Sequence, residues 1–465
     1  MIVFGTDGWR GIIARDFTFE NVQLVALATA LYALKIDKKK ASVVIGYDAR
    51  FLSREFAEEA ACVMASKGVV VHITEAISST PQVSFATKQK KATVGVVITA
   101  SHNPAEYNGY KLKSNFGGPA FPEEVAEVEK ELAAIEKKRP VIKFKTFDEY
   151  VKEKLVRPFG AKESYLRYVK RKIDMPLIIK SGIKVLFDPM HGAGINTIKD
   201  LLPKADEIHG DYNPSFGDID HPEPMAEYLP TLMEKVKEGK YDVGLATDGD
   251  ADRLGAVDEN GHFVDSHKVF MLILKYLYED KKKRGAVAKT IALTSMVNQY
   301  CEKHGIKLHE LPIGFKYVSK LMATEKILIG GEESGGLGTI IHIPERDGIF
   351  NGMLLLEMMA KRKKKLSELV EELEAEFGVH RYRRRDVRTT EKIKQDILKA
   401  CARKPKQLGR YKVTSIDTTD GYKFFIDKGW LLVRASGTEP LLRYYAEADS
   451  MNKVNELLEE GLKMK

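Results

Sequence analysis

Four stretches carry side chains whose types and spacing suit chemistry. Asp248, Asp250 and Asp252 set three carboxylates at alternate positions after the apolar run 241–246. Alternate residues of an extended segment share a face, so their oxygens can converge on a hard cation. Without a cation such a cluster repels itself, and a solvated acidic turn is the alternative. The spacing also resembles the start of an EF-hand loop, with Glu259 at the twelfth position. Arg253, however, stands where that loop demands glycine, and a strand precedes it instead of a helix.

The second stretch, 94–104, runs Val-Gly-Val-Val-Ile and then Thr-Ala-Ser-His-Asn-Pro. An apolar, β-branched run reads as a buried strand, and Asn103-Pro104 stops it. Ser101 is therefore a hydroxyl at a strand end, where α/β proteins place chemistry. A Ser- and Asn-rich capped turn explains the same residues equally well. His102 adjoins Ser101, and in an extended segment the two side chains diverge. With Gly-x-Ser-x-Gly also absent, a serine hydrolase is excluded. Lys111 is a cation within a few residues of this turn.

Arg434-Ala-Ser436-Gly437-Thr438-Glu-Pro440, with Arg443 beyond it, follows the apolar 430–433. Backbone N–H groups freed by glycine, two hydroxyls and guanidinium forks suit a phosphate dianion. No NTP-binding P-loop motif occurs. Gly331-Glu332-Glu333-Ser334-Gly335-Gly336 offers acceptors suited to the vicinal hydroxyls of a sugar.

The elements that position these loops alternate. Helical spacing of Val22, Val25, Leu27, Ala28 and Leu31 predicts a helix over 17–36. Strands are expected at 42–46, 69–73 and 94–98, with helices between them. The order recurs with strands at 183–187 and 241–246, and again at 290–294 and 327–329. Strands alternating with helices predict α/β units, and in each the late strand delivers a polar loop. After a helix-like basic stretch, 353–377, the pattern changes to strands at 381–388, 411–415, 420–426 and 430–434 and a helix at 451–462. The expected architecture is three similar α/β domains with mixed sheets, 1–155, 156–257 and 258–372, plus a C-terminal α+β domain, 373–465, around a central cleft.

With 465 residues, 44% hydrophobic and 30% charged, the composition is that of an ordinary globular protein. The net charge is +8, but the basic runs are scattered and lack interleaved aromatics, so nucleic acid is not expected as a partner. Cys62, Cys301 and Cys401 form no CxxC pair, which argues against a disulfide framework or a zinc site and for a reducing compartment. No leader is apparent, and apolar stretches such as 269–274 are too short to span a bilayer. A cytoplasmic protein without membrane partners is expected. Its oligomeric state cannot be read from the sequence.

Taken in order, the motifs at 99–104, 248–253, 331–335 and 434–438, with the opening 5–11 (Gly-Thr-Asp-Gly-Trp-Arg-Gly), resemble the α-D-phosphohexomutase superfamily over essentially the whole chain. The resemblance implies that Ser101 carries a phosphoryl group and that Asp248, Asp250 and Asp252 hold Mg²⁺ together with an oxygen on Ser101. It implies that Arg10, His102 and Lys111 flank the phosphoserine, with Lys111 the candidate for proton transfer. Glu332 and Ser334 match sugar-hydroxyl ligands, and Gly314 and Lys316 a further substrate loop. Arg434, Ser436, Gly437, Thr438 and Arg443 match the loop that grips the non-reacting phosphate. The implied reaction passes through a hexose 1,6-bisphosphate that turns end for end. Glu333 resembles the glucose-directed members, whereas those acting on mannose or glucosamine phosphates tend to carry Met or Gln there, followed by Ser-Gly-His. Here Gly336 replaces that histidine, and Ala251 stands where the family commonly has glycine. Interconversion of glucose 1-phosphate and glucose 6-phosphate is therefore expected. Phosphomannomutase or dual activity is the alternative, and phosphoglucosamine mutase or a sugar phosphatase stands further off.

Overall fold

The computed structural model describes residues 2–5, 7–435 and 441–464. The chain packs as two compact units. One comprises Met1–Ala286 with Gly314–Glu368, the other Val287–Ile313 with Leu369–Lys465.

The first unit begins with a mixed sheet of strands β1 (Trp9–Ile12), β2 (Ser42–Tyr47), β3 (Val70–Thr74), β4 (Val94–Ile98), β5 (Tyr107–Ser114), β6 (Gly118–Pro119) and β7 (Val156–Phe159). The order is β1-β5-β4-β2-β3-β7, with β6 beside β5. Strands β2, β3, β4 and β7 run parallel, and β5 returns antiparallel to both β4 and β1. β4 is buried along its whole length, because helices cover both faces of a parallel sheet and force continuous apolar runs. A second mixed sheet holds β8 (Val185–Asp188), β9 (Asp206–Glu207), β10 (Val243–Thr247), β11 (Leu254–Asp258) and β12 (Phe263–Val264). Here β10 lies parallel to β8, and β11 returns antiparallel to β10. The antiparallel pair Ile327–Gly331 and Leu337–Thr339 completes the unit's strands.

In the second unit, Ala286–Thr290 runs parallel to Leu308–Leu311. The antiparallel strands Arg381–Arg388, Leu441–Ala448, Gly429–Ala435, Tyr422–Ile426 and Ser415–Asp417 form a sheet in that order. The helix Met451–Leu462, capped by Ser450, packs its apolar face on them.

Four expectations need correction. Tyr107–Ser114 is a strand that the alternation did not reveal, because its lysines Lys111 and Lys113 are buried on ion pairs instead of exposed. The strand expected at 290–294 lies at Ala286–Thr290. Ile291 and Ala292 owe their apolar character to packing against Trp430 and Leu432, and the Lys289 ammonium folds back onto the carbonyls of Leu293 and Thr294. The 353–377 stretch is two helices, Gly348–Arg362 and Leu366–Phe377, broken at left-handed Lys363. Phe19–Ile36, contrary to the reading of short apolar stretches, is long and apolar enough to cross a bilayer by composition alone. Ten of its residues are buried in the core of the first unit, which accounts for that composition.

Lys113 and Glu345 form an ion pair with neither side chain exposed, 2.8 Å apart, and Ser84 donates to the same carboxylate oxygen at 2.7 Å. Lys113→Met leaves that carboxylate buried and uncompensated. Its expected cost is about 3–5 kcal/mol in chemical denaturation, with part recovered in Lys113→Met/Glu345→Gln. A shift below about 1 kcal/mol, the scale of an exposed pair, would show the pair to be solvated.

Candidate active site

The serine turn joins β4 to the antiparallel β5, with Ile98 opposite Tyr110. Ser101 is buried and takes a left-handed backbone, φ +55°. That conformation costs an L-residue roughly 1–2 kcal/mol, so something must hold it. The holder is Arg50, at the end of β2. Its guanidinium donates to the carbonyls of Ser101 (2.6 Å), Asn103 (2.5 Å), Pro104 (2.7 Å) and Tyr107 (3.0 Å). Asp48 faces Arg50 Nε at 3.3 Å and accepts from the hydroxyls of Thr99 and Ser53. Thr99 Oγ1 in turn accepts the Ser101 N–H at 2.9 Å. The role of Arg50 was not read from sequence, although charged residues directly after an apolar strand were a signal. Asn103 Oδ1 accepts from Arg10 at 2.5 Å, and the backbone of the turn hangs on Arg50. Because Ser101 is left-handed, the segment is not extended, and His102 Nδ1 lies 3.5 Å from Ser101 Oγ. The expectation that the two side chains diverge fails for that reason.

The acidic loop spans the turn from β10 to β11, which closes with Thr247 opposite Leu254. It is not extended either. Ala251 is left-handed at φ +57°, so its methyl is tolerated in a conformation that favours glycine, and the carboxylates converge by turning. All three are buried, with ligand oxygens within 4.8 Å of one another. Ser101 Oγ donates to Asp248 Oδ2 at 2.9 Å. A Cβ on Gly249 would lie 2.3 Å from the Ser101 carbonyl, so only glycine lets the two loops approach this closely.

Charge balance organises the rest. Burial, then the neighbouring Asp250 and Asp252, pushes the Asp248 carboxyl well above the usual carboxylate range. Burial also opposes the charge on Asp250, but Lys111, the Thr80 hydroxyl and Arg346 together outweigh it and hold that carboxyl low. Lys111 Nζ stands 2.7 Å from Asp250, 3.3 Å from Asp252 and 3.0 Å from Asp7. Burial disfavours its ammonium, and the three carboxylates together more than restore it. Among the described residues, Asp250 Oδ1 and Asp252 Oδ1 are buried without a hydrogen-bond partner. Unsatisfied carboxylate oxygens beside a third carboxylate and a serine hydroxyl fit a hard divalent cation.

The glycine-rich loop 332–336 caps the pair Ile327–Gly331 and Leu337–Thr339. Burial pushes the Glu332 carboxyl up to about 7, against the opposing pull of Arg346 and with help from Glu333. Ser266 donates its hydroxyl to the Glu333 carbonyl. The loop meets the acidic one directly, since the Leu254 N–H bonds the Gly335 carbonyl and Arg253 bridges Gly336. Lys316 lies in the first turn of the helix Phe315–Thr324, which Gly314 precedes, and lines a cavity of about 200 Å³ with Phe4, Asp7, Gly8 and Leu112. Asp7 and Arg346, both in this cluster, were not singled out in the sequence.

Arg434 and Arg443 belong to the second unit. Arg434 Nε donates to Asp420 at 2.8 Å, and Arg443 Nε lies 3.4 Å from Asp386. Their strands pair antiparallel with Arg434 opposite Arg443. Ser436, Gly437 and Thr438 lie outside the described residues.

Four domain families match the chain in order. Phosphoglucomutase/phosphomannomutase alpha/beta/alpha domain I covers residues 1–139, domain II 163–261, domain III 265–377 and the C-terminal domain 358–463. A Thermococcus kodakarensis phosphoglucomutase/phosphomannomutase is 34% identical over 99% of this chain and 98% of its own. The chain belongs to the phosphoglucomutase/phosphomannomutase family of α-D-phosphohexomutases. It is therefore an intramolecular phosphotransferase by family, with three α/β domains and an α+β domain. A Carboxydothermus hydrogenoformans phosphoglucosamine mutase is 32% identical over 98% of each chain. A solved Thermus thermophilus structure carrying a provisional phosphomannomutase assignment covers 99% of this chain and 98% of its own, with 32% identity and TM-score 0.85.

Arg50→Lys keeps a positive charge but cannot span the carbonyls that the fork joins. We expect mutase turnover to fall by about 10²-fold, the scale of a misplaced reacting group, while the thermal midpoint moves by only a few degrees. Wild-type turnover in this variant would show the fork to be dispensable.

Proposed function

We propose that this phosphohexomutase interconverts glucose 1-phosphate and glucose 6-phosphate through phospho-Ser101 and a hexose 1,6-bisphosphate. The observation that carries the reading is the Ser101 hydroxyl seated on Asp248, beside carboxylate oxygens of Asp250 and Asp252 that lack partners among the described residues. Asp248, Asp250 and Asp252 would hold Mg²⁺ together with an oxygen on Ser101. When bound, Mg²⁺ neutralises charge on phosphoryl oxygens. A phosphoserine bears about −1.5 to −2 charges at neutral pH and needs cations around it. Arg10 and His102 lie beside the turn, and Lys111 is the candidate to exchange a proton with the sugar hydroxyl.

Glu332 and Ser334 receive sugar hydroxyls in this reading, with Lys316 as a further substrate contact. Arg434, Ser436, Gly437, Thr438 and Arg443 hold the phosphate that is not transferring. The loops belong to domains 1–155, 156–257, 258–372 and 373–465, one loop each. Glu333 supports glucose as the sugar. The dual name of the Thermococcus relative supports mannose phosphates as second substrates, and the Carboxydothermus relative makes glucosamine phosphate the necessary third comparison. A cytoplasmic setting belongs to the same reading, supported by three free, buried cysteines.

Glucose, mannose and glucosamine 1-phosphates, each assayed with Mg²⁺ and a trace of matching bisphosphate, test the proposal. The expected result is highest kcat/KM for glucose and loss of all mutase activity in Ser101→Ala, with a phosphate mass increment on the wild-type serine peptide alone. Undiminished activity in Ser101→Ala would overturn the phosphoserine route, and equal kcat/KM across the panel would overturn the glucose preference.

The Glu332 carboxyl, raised to about 7, ionises as pH rises through neutrality, and its charged form is the stronger hydroxyl acceptor. KM for the preferred substrate should fall between about pH 6 and 8, and this limb should vanish in Glu332→Gln. A limb that survives the substitution belongs to the substrate phosphate, whose second ionisation is near 6.

A further inference from the structure

Arg346 sits in a run of three charged residues, Glu345-Arg346-Asp347, all buried. The two neighbours anchor its backbone. Glu345 takes the Lys113 ammonium, and Asp347 accepts the Tyr165 hydroxyl and caps the helix Gly348–Arg362 by accepting the Phe350 N–H. Between these anchors the Arg346 guanidinium reaches three other segments. Its Nη1 donates to Glu332 Oε2 at 3.2 Å, and its Nη2 to Asp252 Oδ2 at 2.6 Å and Asp7 Oδ2 at 2.5 Å. The guanidinium also lies over the Phe315 ring, 5.4 Å from its centroid.

The route of its stem is the second observation. A Cβ placed on Gly336 would lie 2.4 Å from Arg346 Cδ and 3.1 Å from Cγ. Real Cβ atoms do not approach so closely, so even alanine at 336 must displace the arginine. The last glycine of the sugar loop therefore serves as the passage for a cation that arrives from another segment.

We propose that Arg346 is a positioning residue for sugar recognition, aiming the Glu332 carboxylate and joining the sugar loop to the metal loop through Asp252, and that Gly336 exists to admit it. The inference rests on the reading of Glu332 as a sugar-hydroxyl ligand. A forked guanidinium suits the task, since it fixes a carboxylate in direction as well as in charge, which an ammonium does not. Loss of the fork leaves Glu332 in place but misdirected. The damage then falls on binding of the hexose hydroxyls before it falls on the phosphoryl step.

The test is a pair of mutant cycles on the full chain with glucose 1-phosphate, Mg²⁺ and glucose 1,6-bisphosphate. Gly336→Ala and Arg346→Met should each raise KM by roughly ten- to a hundredfold, the scale of a charged hydrogen bond, a larger factor than the fall in kcat that follows from the loss of the Asp252 contact. The Gly336→Ala/Arg346→Met pair should be no worse than Arg346→Met alone, because the alanine acts only by moving the arginine. Likewise, Glu332→Gln should raise KM strongly in the wild type and little in Arg346→Met. Arg346→Lys should recover part of the loss, and it keeps the cycle readable if Arg346→Met fails to fold. Multiplicative effects in either cycle, or a wild-type KM in Gly336→Ala, would overturn the positioning role. If Ser101→Ala retained mutase activity, the functional reading and this inference would fall together. If Ser101→Ala is inactive and the cycles multiply, the inference fails alone.

Discussion

The first unit is built around a problem of buried like charge. Asp248, Asp250, Asp252 and Glu332 crowd into one buried region with the half-buried Asp7 at its edge, and removing such groups from water costs several kcal/mol each unless partners meet them. Lys111, Arg253 and Arg346 are those partners, and each comes from a different stretch of chain. Arg253 pairs with Glu223 at 2.5 Å and turns its backbone N–H to Asp248 at 3.0 Å. No one segment can bury its share of this cluster before the others arrive. The site is therefore also a lock on the fold of that unit. Among the described residues, the charge left over falls on Asp250 Oδ1 and Asp252 Oδ1, which lack protein donors and fit a hard divalent cation.

Topology puts the loops where this balance can be struck. In each case a strand delivers a polar loop, and the next strand returns antiparallel beside it. Ile98 closes on Tyr110, Thr247 on Leu254 and Gly331 on Leu337. In the first two sheets the delivering strand is parallel to its other neighbour, so each loop sits where a parallel sheet changes sense. An antiparallel return needs no helical crossover. It keeps the loop short, and a short loop between two ladder ends has few conformations open to it.

Much of this was legible in the sequence. Apolar runs ending in polar clusters located β4, β10 and the strand Ile327–Gly331, and with them the serine, the aspartates and Glu332. What escaped reading shares one cause. Lys113, Lys289, Arg50 and Arg346 are charged residues that end up buried, and a rule that sends charge to the surface misplaces all four, while the burial of Lys111 within a strand went unread for the same reason. That error hid β5, shifted the strand at 286–290 and left two arginines without a role. The three aspartates converge as expected but by a different geometry, since a left-handed Ala251, not an extended chain, brings them together. Only contacts distant in sequence decide such cases, because a buried cation is paired by residues tens or hundreds of positions away.

The fork of Arg50 holds the serine turn by four main-chain carbonyls and by no side chain of the turn itself. Carbonyl oxygens are present whatever residues the turn carries, and they do not titrate. The path of the backbone through 101–107 is thus insulated both from changes of pH across the physiological range and from most mutations within the turn. Thr99 and Asn103 add side-chain bonds of their own, but the other side chains beside the serine can change while these four carbonyls stay in place. A lineage could retune what this turn recognises without first rebuilding how it stands.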